Sequence, residues 1–357
     1  MGNFDAMSDM FHTECFDFTL EEVRAAVAER RLLATEVEFN RVCNYRCPYC
    51  YADDGKGGSP TDEGVLSSEE IDRVIDQVAE LGARKVVILG GEPLLYHGLK
   101  DKLARIDALG MRSEIFTNGA LLTPELAATL YKYRARVALK FNSLVPEVQE
   151  RMTGVRGALD KCLRAIELLR NAGYGDAPGL LAASSVICSC NVDGMCDLWR
   201  WLRNEKIIPY FEIMTPQGRM LANQHLHVDP LRLKEVFDAI AKIDREEFDR
   251  EWEPQPPLVG GCCFRHHYSC LVNALGVVMP CVGVTIPLGN IREKPLKEIL
   301  FSSEVIRDLK NYRETITGPC RDCDKLDHCY GCRGSAYQLT GDYLASDPLC
   351  WRNAGKM

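Results

Sequence analysis

The chain has 357 residues, 46% of them hydrophobic, which allows one large domain and a smaller one. Its net charge of −8 and the lack of any basic block argue against nucleic-acid or anionic-membrane binding. Apolar runs are strand-sized, and the N-terminus lacks the charged and apolar regions of a signal peptide, so the chain reads as cytoplasmic.

The first 33 residues read as an N-terminal extension with one helix candidate at 20–31, too little for an added recognition domain. Ala6 stands where a myristoylation motif requires Ser or Thr. A β-like run at 35–40 leads into Cys43-Asn44-Tyr45-Arg46-Cys47-Pro48-Tyr49-Cys50, a C-x3-C-x2-C spacing. Three thiolates in one loop cover three irons of a [4Fe–4S] cube and leave the fourth to a non-protein ligand. Zinc would want a fourth protein ligand, and a disulfide pattern an even count. Seventeen cysteines in a reducing compartment also favour metal clusters over a disulfide framework.

Further strand-like segments at 85–89, 113–117, 137–142, 180–188 and 209–214 alternate with helix-like ones at 67–81, 124–133, 157–172 and 195–205. In the first of these helices Ile71, Val74, Ile75, Val78 and Leu81 share a face, Ser67 to Glu70 supplies a capping box, and Gly82 a stop. Six β/α units across 34–222 imply an α/β fold, a parallel sheet with helices outside. Periodicity leaves a doubly wound sheet and an incomplete barrel both open. A helix and linker at 223–260 end in the Pro- and Gly-rich run 254–261, after which cysteine density rises through 261–357.

The cysteine loop, with an aromatic before its last cysteine, resembles the radical S-adenosylmethionine (radical SAM) superfamily. That resemblance implies a partial (β/α)6 barrel with its active site at the C-terminal strand ends. It also implies SAM bound at the iron left open by Cys43, Cys47 and Cys50, and cleaved to a 5′-deoxyadenosyl radical that takes a substrate hydrogen atom. Gly90-Gly91-Glu92-Pro93, past the second strand, resembles the family's GGEP motif, which binds the SAM amino group; its bland reading is a strand-to-helix turn. The glycines let backbone approach a ligand, and Glu92 offers an acceptor to an ammonium. Other implied SAM contacts are Tyr49 near the adenine, Thr117 and Asn118 after the third strand, Lys140, Asn142 and Ser143 after the fourth, and Ser185 and Ile187 on the fifth.

Cys263 and Cys281 flank Gly276, and Cys320, Cys323, Cys329, Cys332 and Cys350 follow. The pattern resembles the SPASM domain, which binds two auxiliary [4Fe–4S] clusters, making three in all; paired Cys-x2-Cys runs also suit zinc. Carried over, Cys263, Cys281 and Cys332 hold the first auxiliary cluster, and Cys320, Cys323, Cys329 and Cys350 the second. Cys329 and Cys332 are two residues apart where the family has three. The first cluster's fourth ligand is Cys270, Cys262 or an open iron, with Cys270 preferred because adjacent thiolates struggle to reach one cube. Cys162, on an apolar helical face, reads as core, and Cys15 and Cys196 have no assigned role.

Residues that choose the reaction are fewer. Val282 stands where some oxidising relatives carry a carboxylate base, so Glu212 on the sixth strand is a candidate instead. Cys188 and Cys190, at the end of the fifth strand, could return a hydrogen atom in an epimerisation, or simply pack. The leading expectation is a SAM-dependent radical oxidoreductase acting on a small polar metabolite such as a sugar, cyclitol or amino-sugar, with flavodoxin or ferredoxin as electron donor. The alternatives are a peptide or protein maturase, a radical epimerase, and a non-catalytic iron–sulfur or zinc scaffold.

Overall fold

The computed structural model describes residues 18–52, 63–327 and 329–356. Cys15 and most of the expected N-terminal extension lie outside the described residues. Helix α1 (Leu20–Ala28) starts with a capping box between Thr19 and Glu22 and precedes β1 (Ala34–Glu38). Helix α2 (Ser68–Glu80) has the second capping box, Ser67 with Glu70, which satisfies two backbone donors at its start. Ile71, Val74, Ile75 and Val78 of α2 are completely buried, each worth roughly 2 kcal/mol of apolar burial. Then come β2 (Lys85–Leu89), α3 (Leu99–Ala108), β3 (Arg112–Thr117), α4 (Pro124–Lys132), β4 (Arg136–Lys140), α5 (Pro146–Thr153), α6 (Ala158–Asn171), β5 (Leu181–Ile187), α7 (Met195–Asn204) and β6 (Ile208–Ile213).

Helices α3 and α5 fall outside the periodic segments read from the sequence. The buried face of α3 includes Lys102, whose Nζ donates to the Ser68 carbonyl at 2.8 Å and pairs with Asp72 at 2.7 Å. Helix α5 has eight residues, and its buried set is Gln149, Met152 and Thr153. Both break the apolar period. The fourth strand stops at Lys140, two residues early, because the amides of Asn142 and Ser143 turn to Gln149 Oε1 on α5.

The six strands lie in the order β6-β5-β4-β3-β2-β1, all parallel, each beside its neighbour in sequence. A doubly wound sheet would reverse direction at a switch point; this one does not, so it is a partial (β/α)6 barrel. Strand β1 pairs not with β6 but with β7 (Leu271–Val272), and the antiparallel strands β8 (Val277–Met279) and β9 (Gly289–Asn290) extend the sheet. Thus the cysteine-rich region continues the barrel's own sheet.

Helix α8 (Pro230–Phe248) packs on α7, where buried Asp244 accepts hydrogen bonds from Trp199 Nε1 (2.7 Å), Trp252 Nε1 (2.9 Å) and Arg203 (2.9 Å). The run expected to be a linker lies instead along the edge of β6. Ile213 donates to the Pro257 carbonyl, Val259 donates to that of Phe211, and residues 255–260 are buried. That contact covers an otherwise exposed strand edge. Four short helices complete the chain: α9 (Leu296–Ser302), α10 (Glu304–Lys310), α11 (Tyr312–Thr315) and α12 (Arg333–Thr340). No helix among the described residues is long and apolar enough to cross a membrane.

Candidate active site

The C-terminal ends of the barrel strands open on one solvent-accessible cavity. Cys43, Cys47 and Cys50 line one side of it, on the loop after β1. Burial and mutual repulsion push the Cys43 thiol up to about 11 and that of Cys47 to about 12. Clustered thiols that resist ionising alone are the donor set that a polycationic cluster stabilises. No three His, Cys, Asp or Glu side chains among the described residues converge tightly enough to hold a single metal ion; a cube takes each thiolate at a separate iron.

Beside this loop, Gly90 and Gly91 let the strand end pass against residues 40–42. Gly91 N–H donates to both Asn40 O and Asn40 Oδ1 at 3.1 Å, and Glu92 N–H to Val42 O at 2.9 Å. Gly90 has φ +144, and a Cβ there would lie 2.6 Å from Asn40 Oδ1. The Glu92 carboxylate is 1% exposed and accepts from Leu94 N–H (3.0 Å), Asn118 N–H (2.8 Å) and the Thr117 hydroxyl. Burial raises its pKa and those bonds oppose the rise. Three donors leave about one of its four lone-pair positions for a ligand. Asn118 Nδ2 also donates to Asn44 Oδ1 at 2.8 Å, so Thr117 and Asn118 tie Glu92 to the cysteine loop. Pro93 is buried at the start of the short turn Pro93–Leu95.

Tyr49, Lys140 and Glu212 line the cavity as well. Lys140 Nζ donates to Ser184 Oγ at 3.0 Å. Other expected contacts are used up inside the protein. Asn142 Nδ2 donates to the Tyr49 hydroxyl at 2.9 Å, its Oδ1 accepts from Val186 N–H at 3.1 Å, and it is wholly buried. Ser143 Oγ accepts from Val145 N–H at 3.0 Å. On β5 the pleat corrects the expectation by one residue: Val186 faces the cavity, while Ile187 packs in the core against the helices and Ser185 bonds the Phe141 carbonyl.

Cys188 and Cys190 are placed outside the cavity lining. Cys188 is fully buried, 3.6 Å from Met214 Sδ, and Cys190 Sγ lies 3.1 Å from Met152 Sδ. Met214, not the thiol behind it, faces the cavity. Glu212 is different: its carboxyl makes no hydrogen bond or ion pair with a described residue, and burial raises its pKa against the opposing charges of Lys140 and Arg265.

The opposite wall includes Arg265 and Val282, two residues past Cys263 and one past Cys281. Arg265 spans the gap between β1 and β6, pairing with Glu36 and donating to the Tyr210 hydroxyl at 3.3 Å. Glu36 and Arg265 are 229 residues apart, and neither was singled out by the motifs. A charged residue in the middle of an otherwise buried strand was the only signal for Glu36.

Cys263, Cys281 and Cys332 come within electrostatic reach of one another, and burial pushes Cys281 to about 12 and Cys332 to about 11. Cys320, Cys323, Cys329 and Cys350 together line a separate small pocket. The short gap between Cys329 and Cys332 is turned by Gly331 at φ +65, so the two thiols join different sets. Cys270 is not brought to the first set: it is buried beside Thr35, Glu36 and Lys310. Cys262 accepts from Gln255 Nε2 at 2.6 Å and lies toward Cys329, on the side of the second set. Cys270 points away because the strand entering β7 carries it into the core.

Residues 37–184 match the radical SAM superfamily, and residues 262–324 match SPASM, an iron-sulfur cluster-binding domain. The two domains imply iron–sulfur clusters and SAM binding. An AdoMet-dependent heme synthase of Methanosarcina barkeri is 27% identical, covering 91% of this chain and 97% of its own. A PqqA peptide cyclase of Granulibacter bethesdensis is 26% identical, covering 88% of this chain and 85% of its own. The crystal structure of Streptococcus suis SuiB bound to precursor peptide SuiA has the same fold, with TM-score 0.67 and 17% identity over 92% of this chain and 79% of that one.

Proposed function

The chain belongs to the radical SAM superfamily and carries a SPASM iron–sulfur domain, and from that premise we propose that it is a peptide maturase that oxidises its substrate by hydrogen-atom abstraction. The observation that carries the reading is one cavity bounded by Cys43, Cys47, Cys50 and Glu92 on one side and by Arg265 and Val282, next to the first auxiliary set, on the other. A substrate seated there is within reach of both. When bound, the clusters and SAM supply an organic radical that removes a hydrogen atom and an acceptor for the electron left behind.

The chain's own groups do the rest. Glu92 offers its remaining lone pair to the SAM ammonium, held in aim by Thr117 and Asn118. Lys140 would pair with the SAM carboxylate, and Tyr49 would pack against the adenine. Cys43, Cys47 and Cys50 hold one cluster, Cys263, Cys281 and Cys332 a second, and Cys320, Cys323, Cys329 and Cys350 a third. The proton released when the substrate loses its second electron passes to water. The substrate thus loses two hydrogens, one SAM is consumed per turnover, and a flavodoxin- or ferredoxin-type donor supplies the first electron.

A peptide is favoured over the small sugar-like metabolite by the relatives, since a peptide cyclase aligns along most of the chain. Epimerisation has less support, because Cys188 and Cys190 stand outside the cavity lining. The test is anaerobic incubation of reconstituted enzyme with SAM, a low-potential reductant and short peptides encoded beside its gene, with intact-mass readout. Loss of two mass units with one 5′-deoxyadenosine per product supports the reading. Unchanged mass with solvent deuterium would replace it with epimerisation. A modified small molecule or tetrapyrrole, the class suggested by the heme synthase similarity, would replace the peptide.

A further inference from the structure

The half of the cavity away from Glu92 is lined by three residues with acceptor oxygens that no donor among the described residues meets. Glu212 on β6 is half-buried and has no hydrogen-bond or ion-pair partner among the described residues. Glu36, 8% exposed, gives one oxygen to Arg265, and its Oε2 is buried without a hydrogen-bond partner. Gln217, 4% exposed, donates through Nε2 to the Val282 carbonyl at 2.9 Å, which fixes the amide orientation and leaves its buried Oε1 without a partner. All three residues line the same cavity. Buried oxygens without donors are costly, so such a set is complementary to a ligand that brings several N–H groups.

Arg265 forms its ion pair with Glu36 and is shared with Tyr210, and Lys140 donates to Ser184, so both cations lie within electrostatic reach of Glu212 but neither is ion-paired with it. Phe116 and Tyr210 form the aromatic wall of this half, packed edge to face with ring centroids 5.6 Å apart. An aromatic face beside a carboxylate suits a cation. We infer that this half of the cavity is a subsite for a protonated nitrogen group of the substrate, an ammonium or a guanidinium, held by Glu212 with Glu36 and Gln217. The inference rests on reading this cavity as the substrate site. It names the substrate class as basic: a peptide presenting Lys or Arg, or a small amine.

The test is anaerobic calorimetry of the cluster-loaded enzyme saturated with SAM. Its probes are the blocked tripeptides Gly-Lys-Gly and Gly-Arg-Gly, the norleucine and glutamate counterparts, and the free amines n-butylamine and agmatine. The basic tripeptides should bind about tenfold or more tighter than the norleucine one, and Glu212→Gln should abolish that preference while iron content and SAM affinity stay at wild-type values. A preference shown by the free amines but not by the peptides supports the cation subsite and overturns the peptide reading. Equal or undetectable binding of basic and neutral probes at millimolar concentration overturns the inference. So does a Glu212→Gln enzyme that loses SAM affinity, since the carboxyl would then belong to SAM.

Discussion

Gly91→Ala is a stringent test of how the SAM side is built. A Cβ at Gly91 would stand 2.5 Å from the Arg41 carbonyl oxygen and closer still to that of Val42, both backbone atoms with no flexible end to move aside. The two loops must therefore separate by about an ångström to restore van der Waals contact. Four hydrogen bonds cross that seam: two from Gly91 N–H to Asn40, Glu92 N–H to Val42 O, and Asn40 Nδ2 to Glu92 O at 2.9 Å. Losing half of them, at about 1 kcal/mol each, with a comparable strain for overpacking, gives a cost of roughly 2–4 kcal/mol. The shift also carries Glu92 away from the cysteine loop. Loss of one charge-assisted bond to the SAM ammonium, about 1.5–3 kcal/mol, weakens SAM binding roughly tenfold to a hundredfold. Anaerobic calorimetry with SAM and a urea melt measure both effects. Gly194, where a Cβ meets nothing within 4 Å, is the control, and Gly194→Ala should be near neutral. A Gly91→Ala enzyme with wild-type SAM affinity and stability would refute the close-approach argument.

Changing Cys43, Cys47 and Cys50 together to Ala should lower iron by about four per chain and abolish 5′-deoxyadenosine formation, read by iron assay and chromatography; unchanged iron would remove the cluster from this loop. Cys270→Ala should keep the full iron content, because its thiol sits beside Thr35 and Lys310 rather than with Cys263, Cys281 and Cys332; loss of iron would restore it as a ligand. Asp244→Ala leaves two indole donors and the Arg203 guanidinium without their buried acceptor, and should cost about 3–5 kcal/mol in urea melts of the holoenzyme with cluster content unaltered. A cost under about 1 kcal/mol would show the α7–α8 seam to be held by apolar packing alone.

Much of this molecule was legible as local pattern. The strands β1 to β6 fall within a few residues of the alternating apolar segments, because a strand buried against helices must be apolar along its length. The Cys43–Cys50 loop and the Gly-Gly-Glu turn could be read because cluster ligation and backbone approach constrain residues close together in sequence. What required the fold were relations between distant segments. Barrel or doubly wound sheet was decided by strand order, which hydrophobic period does not encode. The choice of Val186 over Ser185 and Ile187 depended on a register set by β4 and β6, and a shift of one residue exchanges the faces of a strand. Cys329 and Cys332, two residues apart, part company at Gly331, and Cys270 turns into the core. Glu36 meets Arg265 only because β7 joins the sheet beside β1 and brings the cysteine-rich region over the barrel's open side. Side-chain chemistry and spacing are carried by short stretches of chain, whereas the pairing of charges and the lining of a cavity follow from long-range contacts that no short stretch contains.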